Sequence, residues 1–297
     1  MSHLFYLNER RPGFLGVAAN KPKPDVNILG VPFDSGVSWR PGTRLGPQAI
    51  REASLNIETY SYRYNTDAEK LRIDDLGDLA VIHGDTQSTL GILEKTITDA
   101  SLMGVPIFMM GGEHTMTLAA VKALRPDLFI VFDAHTDMRD EYMGFKLSHA
   151  TISRRVSEII GPERLLQVGV RASCYDEIKY IRDNRIRTIS SMEILDNDLS
   201  FAGSIITDLV KSSKKVYVSV DLDVLDPSYM PGVGNPEAEG LSVHTLIHLL
   251  DKAVGSNLVG FDIMELNPAY DPSGISSVAA AKIILEAAVK YARSSER

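Results

Sequence analysis

Seven short, nearly continuous apolar runs punctuate this chain, at residues 26–31, 105–110, 128–132, 165–170, 185–189, 216–220 and 258–263. Runs of that length without polar alternation suit strands covered on both faces, as in a parallel sheet. Longer amphipathic stretches lie between them and predict helices over 47–56, 85–103, 116–124, 152–160, 176–183, 201–211, 243–253 and 276–292. The alternation predicts an α/β fold, a three-layer α/β/α arrangement around a mostly parallel central sheet. With no internal repeat or linker, residues 1–297 read as a single domain. A Pro-rich, basic N-terminal arm, about residues 1–24, is expected to pack loosely or against a neighbour.

Ligands of open parallel sheets sit at the carboxyl ends of the strands. Gly111-Gly112-Glu113-His114, Asp133-Ala134-His135-Thr136-Asp137, Asp221-Leu222-Asp223 and Glu265 each follow an apolar run. Burying so many carboxylates is costly unless positive charge lies among them. His114, Asp133, His135, Asp137, Asp221 and Asp223 are therefore candidate metal ligands. Six side chains exceed a catalytic zinc site, which uses three protein ligands and an open position. They suit two divalent ions with bridging carboxylates, since four aspartates balance two such charges. Oxygen-rich donors with about one imidazole per ion favour manganese, although other divalent transition metals share this chemistry. Two neighbouring ions acidify a shared water and hold the resulting nucleophile. A lone Asp-x-His is commonly a helix cap, so the ordered combination of segments carries the reading.

Other residues weigh less. His149 ends a long loop after Asp137, where a histidine is a capping group or, beside such a centre, a proton shuttle. Glu265, before Asn267-Pro268, either stabilises a turn or clamps a planar cation. His244 and His248 have i, i+4 spacing without acidic partners and read as helix surface, while His3 and His83 have no supporting context. The net charge of −8 argues against nucleic acid or an anionic membrane as partner. A single cysteine, Cys174, excludes an intrachain disulfide and fits a reducing cytoplasm. The start, Met1-Ser2-His3-Leu4-Phe5-Tyr6, lacks a signal-peptide apolar stretch, and no run approaches a membrane span.

In that order, Gly-Gly-Glu-His, Asp-Ala-His-Thr-Asp and Ser-Val-Asp-Leu-Asp-Val-Leu-Asp-Pro resemble the signatures of the ureohydrolases, the arginases, agmatinases and relatives. Val31-Pro32-Phe33-Asp34, Arg40 to Pro47 and Glu265 to Asp271 extend the similarity over most of the chain, which is most like agmatinases. The resemblance implies an arginase-like fold, two manganese ions per chain, hydrolysis of a guanidino group to urea and an amine, and a homo-oligomer, trimer or hexamer. Carried over, it implies that His114 and Asp137 hold one metal and His135 and Asp223 the other, with Asp133 and Asp221 bridging. His149 is similar to the family's proton shuttle and Glu265 to the carboxylate that pairs with the guanidinium. Asp137 is the candidate for passing a proton to the leaving amine. The catalytic candidates are thus Asp137, His149 and Glu265, and the substrate-binding ones His149, Glu265 and Glu237.

Arginases characteristically carry Asn two residues beyond the last aspartate of Asp-x-His-x-Asp, where this chain has Arg139. The loop from Met230 to Glu237 resembles agmatinases, and an acidic rim of Asp140, Glu141, Glu237 and Glu239 suits a distal ammonium. The expected reaction is agmatine plus water to putrescine plus urea. Asn235 and Ala238-Glu239-Gly240 depart from the agmatinase pattern and leave room for aminopropylagmatine. Guanidinobutyrate and arginine are further alternatives. A one-metal, deacetylase-like amide hydrolase would not need all six ligands, and a non-catalytic homologue would be expected to lose some.

Overall fold

The structure, a computed structural model, describes residues 6–8, 12–17 and 23–295. Its strands are β1 (Leu7–Asn8), β2 (Val26–Val31), β3 (Tyr60–Ser61), β4 (Thr66–Asp67), β5 (Ile73–Leu79), β6 (Ile107–Gly111), β7 (Leu128–Phe132), β8 (Leu165–Val170), β9 (Arg187–Ser190), β10 (Val216–Asp221) and β11 (Leu258–Met264). Nine of them form one sheet in the order β1-β5-β2-β6-β11-β10-β7-β8-β9, and β3 and β4 make a separate hairpin. Every neighbouring pair in the large sheet is parallel except β1 with β5.

The helices are α1 (Gly46–Ser54), α2 (Thr86–Ser101), α3 (Thr117–Leu124), α4 (Ile152–Ile160), α5 (Tyr175–Asn184), α6 (Ser191–Asp196), α7 (Leu199–Ser212), α8 (Val243–Ala253) and α9 (Ile275–Ser295). Strand side chains alternate between faces. Leu128, Ile130 and Phe132 of β7 join a core with Ile50 of α1, Ile206 of α7, Leu246 of α8 and Ile284 of α9. Phe129 and Val131 point to the opposite core, with Leu93 of α2, Val121 of α3, Val156 of α4 and Ile181 of α5. This is the expected three-layer α/β/α arrangement. Among the described residues, no helix is long and apolar enough to cross a membrane.

Register fixes where the site falls. Met110, Ile263, Val220 and Phe132 lie side by side across β6, β11, β10 and β7. The segments after that row therefore leave the sheet along one line. Since β6 and β7 are consecutive in sequence but separated by β11 and β10, the chain reverses its direction of growth there. That is where open α/β sheets bind ligands.

Three expectations need correction. The N-terminal arm is not wholly loose, because β1 pairs with β5 and Phe14 is fully buried, its N–H donating to Asp75 at 2.8 Å. β5 was not expected, since its Asp74, Asp75 and Asp78 break the apolar pattern. Fully buried Arg51 pairs with two of the three, giving Asp75 two hydrogen bonds of 2.8 Å and Asp78 one of 2.6 Å. β9 starts at Arg187 rather than at residue 185, because Arg185 ends α5 in the left-handed region with φ 55°.

Candidate metal centre

The end of β6 is packed too tightly for side chains at its two glycines. A Cβ on Gly111 would lie 2.0 Å from Met264 Sδ, and one on Gly112 2.0 Å from Phe33 O. Gly112 N donates to Val31 O at 2.9 Å and Glu265 N to Gly112 O at 2.8 Å, so the ends of β2, β6 and β11 are laced together. These glycines permit close approach between strands and not a left-handed turn.

Three aspartates divide their oxygens in the same way. Asp133 Oδ1 accepts the His135 N–H at 2.6 Å, Asp221 Oδ1 the Asp223 N–H at 2.9 Å, and Asp223 Oδ1 the Ala134 N–H at 3.1 Å. Each second oxygen faces a histidine. His114 Nδ1 lies 3.4 Å from Asp133 Oδ2 and 3.1 Å from Asp221 Oδ2, while His135 Nδ1 lies 2.9 Å from Asp223 Oδ2. Two groups result whose donor atoms all lie within 4.8 Å of one another, His114 with Asp133 and Asp221, and His135 with Asp133 and Asp223. Asp133 belongs to both. Asp137 belongs to neither, although it is buried, lines the same cavity, and holds a left-handed φ of 48°.

The electrostatics call for positive charge. Burial, then the Asp223 and Asp133 charges, push the Asp221 carboxyl well above the usual range, and burial with Asp133 does the same to Asp137. Burial alone would also raise Asp133, but His114 and His135 outweigh it and hold Asp133 well below that range. Burial opposes charge on both rings, yet the surrounding aspartates push His114 and His135 well above the ordinary imidazole value. His114 Nδ1 and Asp133 Oδ2 are buried without a hydrogen-bond partner, which native interiors rarely tolerate. Two divalent cations fit these orphaned atoms and this oxygen-rich donor set.

Around this centre, Glu265 has a left-handed φ of 66° and its Oε1 accepts the His114 N–H at 2.7 Å. Burial first, then the Glu113 charge, push its carboxyl up to about 8. Glu113 is buried and accepts the Gly36 N–H at 2.6 Å, tying the loop after β2 to the site. That loop brings Ser38 Oγ to 3.2 Å from His149 Nε2. The Tyr142 ring meets the His149 ring edge-on at 5.8 Å, and Arg139 lies 5.2 Å over Tyr142 with its Nε 3.8 Å from Glu177 Oε2. Burial, then the His135 and His114 charges, lower His149 to about 4.

His135, Asp137, His149, Asp221, Asp223 and Glu265 line one cavity with Ser38, Trp39, Arg139, Tyr142, Glu177 and Glu237. Of the expected acidic rim, only Glu237 lines this cavity, 3.8 Å from His135 Nε2. Asp140 is drawn away by Arg155 at 2.9 Å and Arg154 at 3.5 Å. The Arg171 guanidinium donates to the carbonyls of Gly169, Asp223, Val224, Leu225, Glu237 and Ala238, and so fastens the Glu237 loop beside Asp223. His244 and His248 lie on α8 outside both ligand groups, and Cys174 is a free thiol at the start of α5. His83 is exposed, and His3 lies outside the described residues. Sequence reasoning missed Ser38, Tyr142, Glu177 and Arg171 as parts of this site. Isolated polar and aromatic residues of loops carried no signal that they converge.

An α/β scaffold presenting two histidines and three aspartates at its strand ends, in two groups that could each hold a cation, has the donor set of a metallohydrolase-type centre. Comparison with known proteins makes the class specific. The Arginase family matches residues 24–289. The chain is 36% identical over 273 residues to the N(1)-aminopropylagmatine ureohydrolase of Thermococcus kodakarensis, covering 90% of this chain and 91% of that protein. It is 36% identical over 268 residues to the agmatinase of Bacillus subtilis, covering 88% and 90%. The crystal structure of the agmatine ureohydrolase of Thermoplasma volcanium superposes with a TM-score of 0.84 at 33% identity, covering 91% of this chain and 90% of that one. The chain belongs to the arginase family, hydrolases that act on guanidino C–N bonds.

Proposed function

We propose that this protein hydrolyses agmatine to putrescine and urea with two manganese ions per chain. One observation carries the choice of substrate: Glu237 lines the same cavity as His135, Asp221 and Asp223, members of the two candidate metal-binding groups. A distal ammonium pairs with that carboxylate, whereas an amino acid's carboxylate meets like charge. Arg139, the cation of the wall, is turned toward Tyr142 and Glu177. The same reading makes the chain one catalytic domain, cytoplasmic, and a trimer or hexamer. Its single cysteine supports the compartment, and size-exclusion chromatography with light scattering tests the assembly.

In this reading His114 and Asp137 hold one cation, His135 and Asp223 the other, and Asp133 and Asp221 both. Bound there, the cations supply an acidified water as nucleophile and positive charge for the oxygen it adds. The chain's own residues do the rest. Glu265 accepts N–H groups of the planar guanidinium and aims its carbon at the centre. Asp137 passes a proton to the leaving amine nitrogen. His149, kept neutral near pH 7, exchanges a proton with solvent, while Ser38 and Tyr142 hold its ring.

A second reading is aminopropylagmatine, favoured by an identity to its Thermococcus kodakarensis hydrolase equal to that with the Bacillus subtilis agmatinase, 36% in both cases. One panel separates the two. Manganese-loaded protein is given agmatine, aminopropylagmatine, arginine, guanidinobutyrate and formiminoglutamate, and urea or formamide is measured with the product amine or amino acid. Agmatine should give the highest kcat/KM. Arginine as best substrate overturns the argument from Glu237.

A further inference from the structure

Asp262, in the middle of β11, is fully buried, and its partners are hydroxyls. Its Oδ2 accepts the Tyr217 hydroxyl at 2.7 Å and the Thr117 hydroxyl at 2.8 Å, and its Oδ1 accepts the Ser219 hydroxyl at 2.5 Å. Ser219 is its register partner on β10. The Ser219 Oγ also stands 2.8 Å from His114 Nε2.

These contacts fix the direction of every hydrogen. Three donors converging on two oxygens is the pattern of an ionised carboxylate, which can only accept. Ser219 has a single hydroxyl proton, and Asp262 takes it. Toward His114, Ser219 therefore offers lone pairs, and Nε2 must bring the hydrogen. With a cation in place of the second ring proton, the ring is neutral, protonated at Nε2, and Nδ1 is left bare to ligate. Nδ1 is the atom that faces Asp133 and Asp221 and lacks a hydrogen-bond partner.

We infer that Asp262, acting through Ser219, is a positioning residue that locks His114 in the Nε2–H tautomer and thereby sets the affinity of the cation on the His114 side. The inference rests on the two-cation reading above. Partners of this kind behind a ligating histidine are commonly worth about tenfold to a hundredfold in metal affinity. The relay reaches only one of the two groups, because His135 and Asp223 have no contact with it. Its signature is therefore asymmetry between the two cations.

The test is calorimetric titration of metal-free protein with Mn2+, following affinity and stoichiometry with no substrate present. Wild type should bind two ions per chain. Ser219→Ala should weaken one of them at least tenfold and leave the other within twofold, in metal-free protein that still unfolds cooperatively. Tyr217→Phe removes a different donor to Asp262 and should leave both affinities within twofold. Unchanged affinities in Ser219→Ala overturn the relay, and so does equal weakening of both ions, which is what a merely structural role produces. If Ser219→Ala does not fold, the nearly isosteric Asp262→Asn must show the same one-sided loss, and its absence overturns the relay equally. Fewer than two ions in wild type overturns the two-cation reading, and the relay with it.

Discussion

The Glu265 carboxylate accepts the backbone N–H of His114 at 2.7 Å. One oxygen of the proposed guanidinium clamp is thus tied to the start of a candidate metal ligand, so clamp and centre keep their spacing. The other oxygen is left for substrate.

Glu265→Gln keeps the shape and removes the charge. A hydrogen bond to a charged group is worth about 1.5–3 kcal/mol, so kcat/KM should fall roughly tenfold to a hundredfold. The pH dependence follows from the raised carboxyl. Below about 8 Glu265 is increasingly protonated, while a guanidinium stays charged. For wild type, kcat/KM should rise as pH climbs through that region, with bound cations moving the limb to lower pH. The substitution should flatten it, and an unaltered limb in Glu265→Gln removes Glu265 from the clamp.

Asp223 spends one oxygen on the Ala134 N–H and turns the other to His135. Asp223→Ala should cut bound manganese from two ions to about one per chain by elemental analysis and nearly abolish turnover. Full retention of both ions refutes the assignment. In wild type, chelation should lower the melting temperature, since each site at about a hundredfold excess over its Kd contributes about 2.7 kcal/mol.

Burial, followed by the His135 and His114 charges, holds His149 at about 4, so its ring is neutral wherever the enzyme is assayed near neutrality. His149→Asn should retain both ions while kcat drops about a hundredfold, the lower range for a lost proton-transfer group. Added imidazole should restore part of the rate. A pH–rate profile of wild-type height and shape would end the shuttle assignment.

Arg51 answers two buried carboxylates, Asp75 and Asp78. Arg51→Met leaves both charges uncompensated, and breaking a buried pair in that way costs about 3–5 kcal/mol. Urea denaturation should show a midpoint lowered accordingly, while the protein that remains folded keeps wild-type kcat. A loss below about 1 kcal/mol would mean that water reaches this network.

The four strands that carry the site were legible because each is a mostly apolar run that a group of polar site residues follows. Met110, Phe132, Val220 and Ile263 share one row of the sheet, and the site residues follow that row. β5 was not legible, since its carboxylates look like loop until Arg51, 24 residues before Asp75, is brought against them. Ser219 and Asp262 were hidden for the opposite reason. Each is a lone polar residue inside an apolar run, and only the pairing of β10 with β11 puts one beside the other. The acidic rim was legible only in part, because charge on a loop does not say which way it faces. Asp140 found two arginines on the next helix, and Glu237 found the cavity.

The Arg171 guanidinium makes its six hydrogen bonds to carbonyls of the main chain. A carbonyl is present whatever residue bears it, so this grip is blind to sequence. On the proposed reading, the loop carrying Glu237 can exchange its side chains, and with them the tail of the substrate it greets, without losing its path across the cavity. Asp223, held by the same guanidinium, stays where it is. If Glu237 selects the substrate as proposed, choice of substrate and power to cleave it are separately inheritable, and new specificities can be sampled here without dismantling the centre.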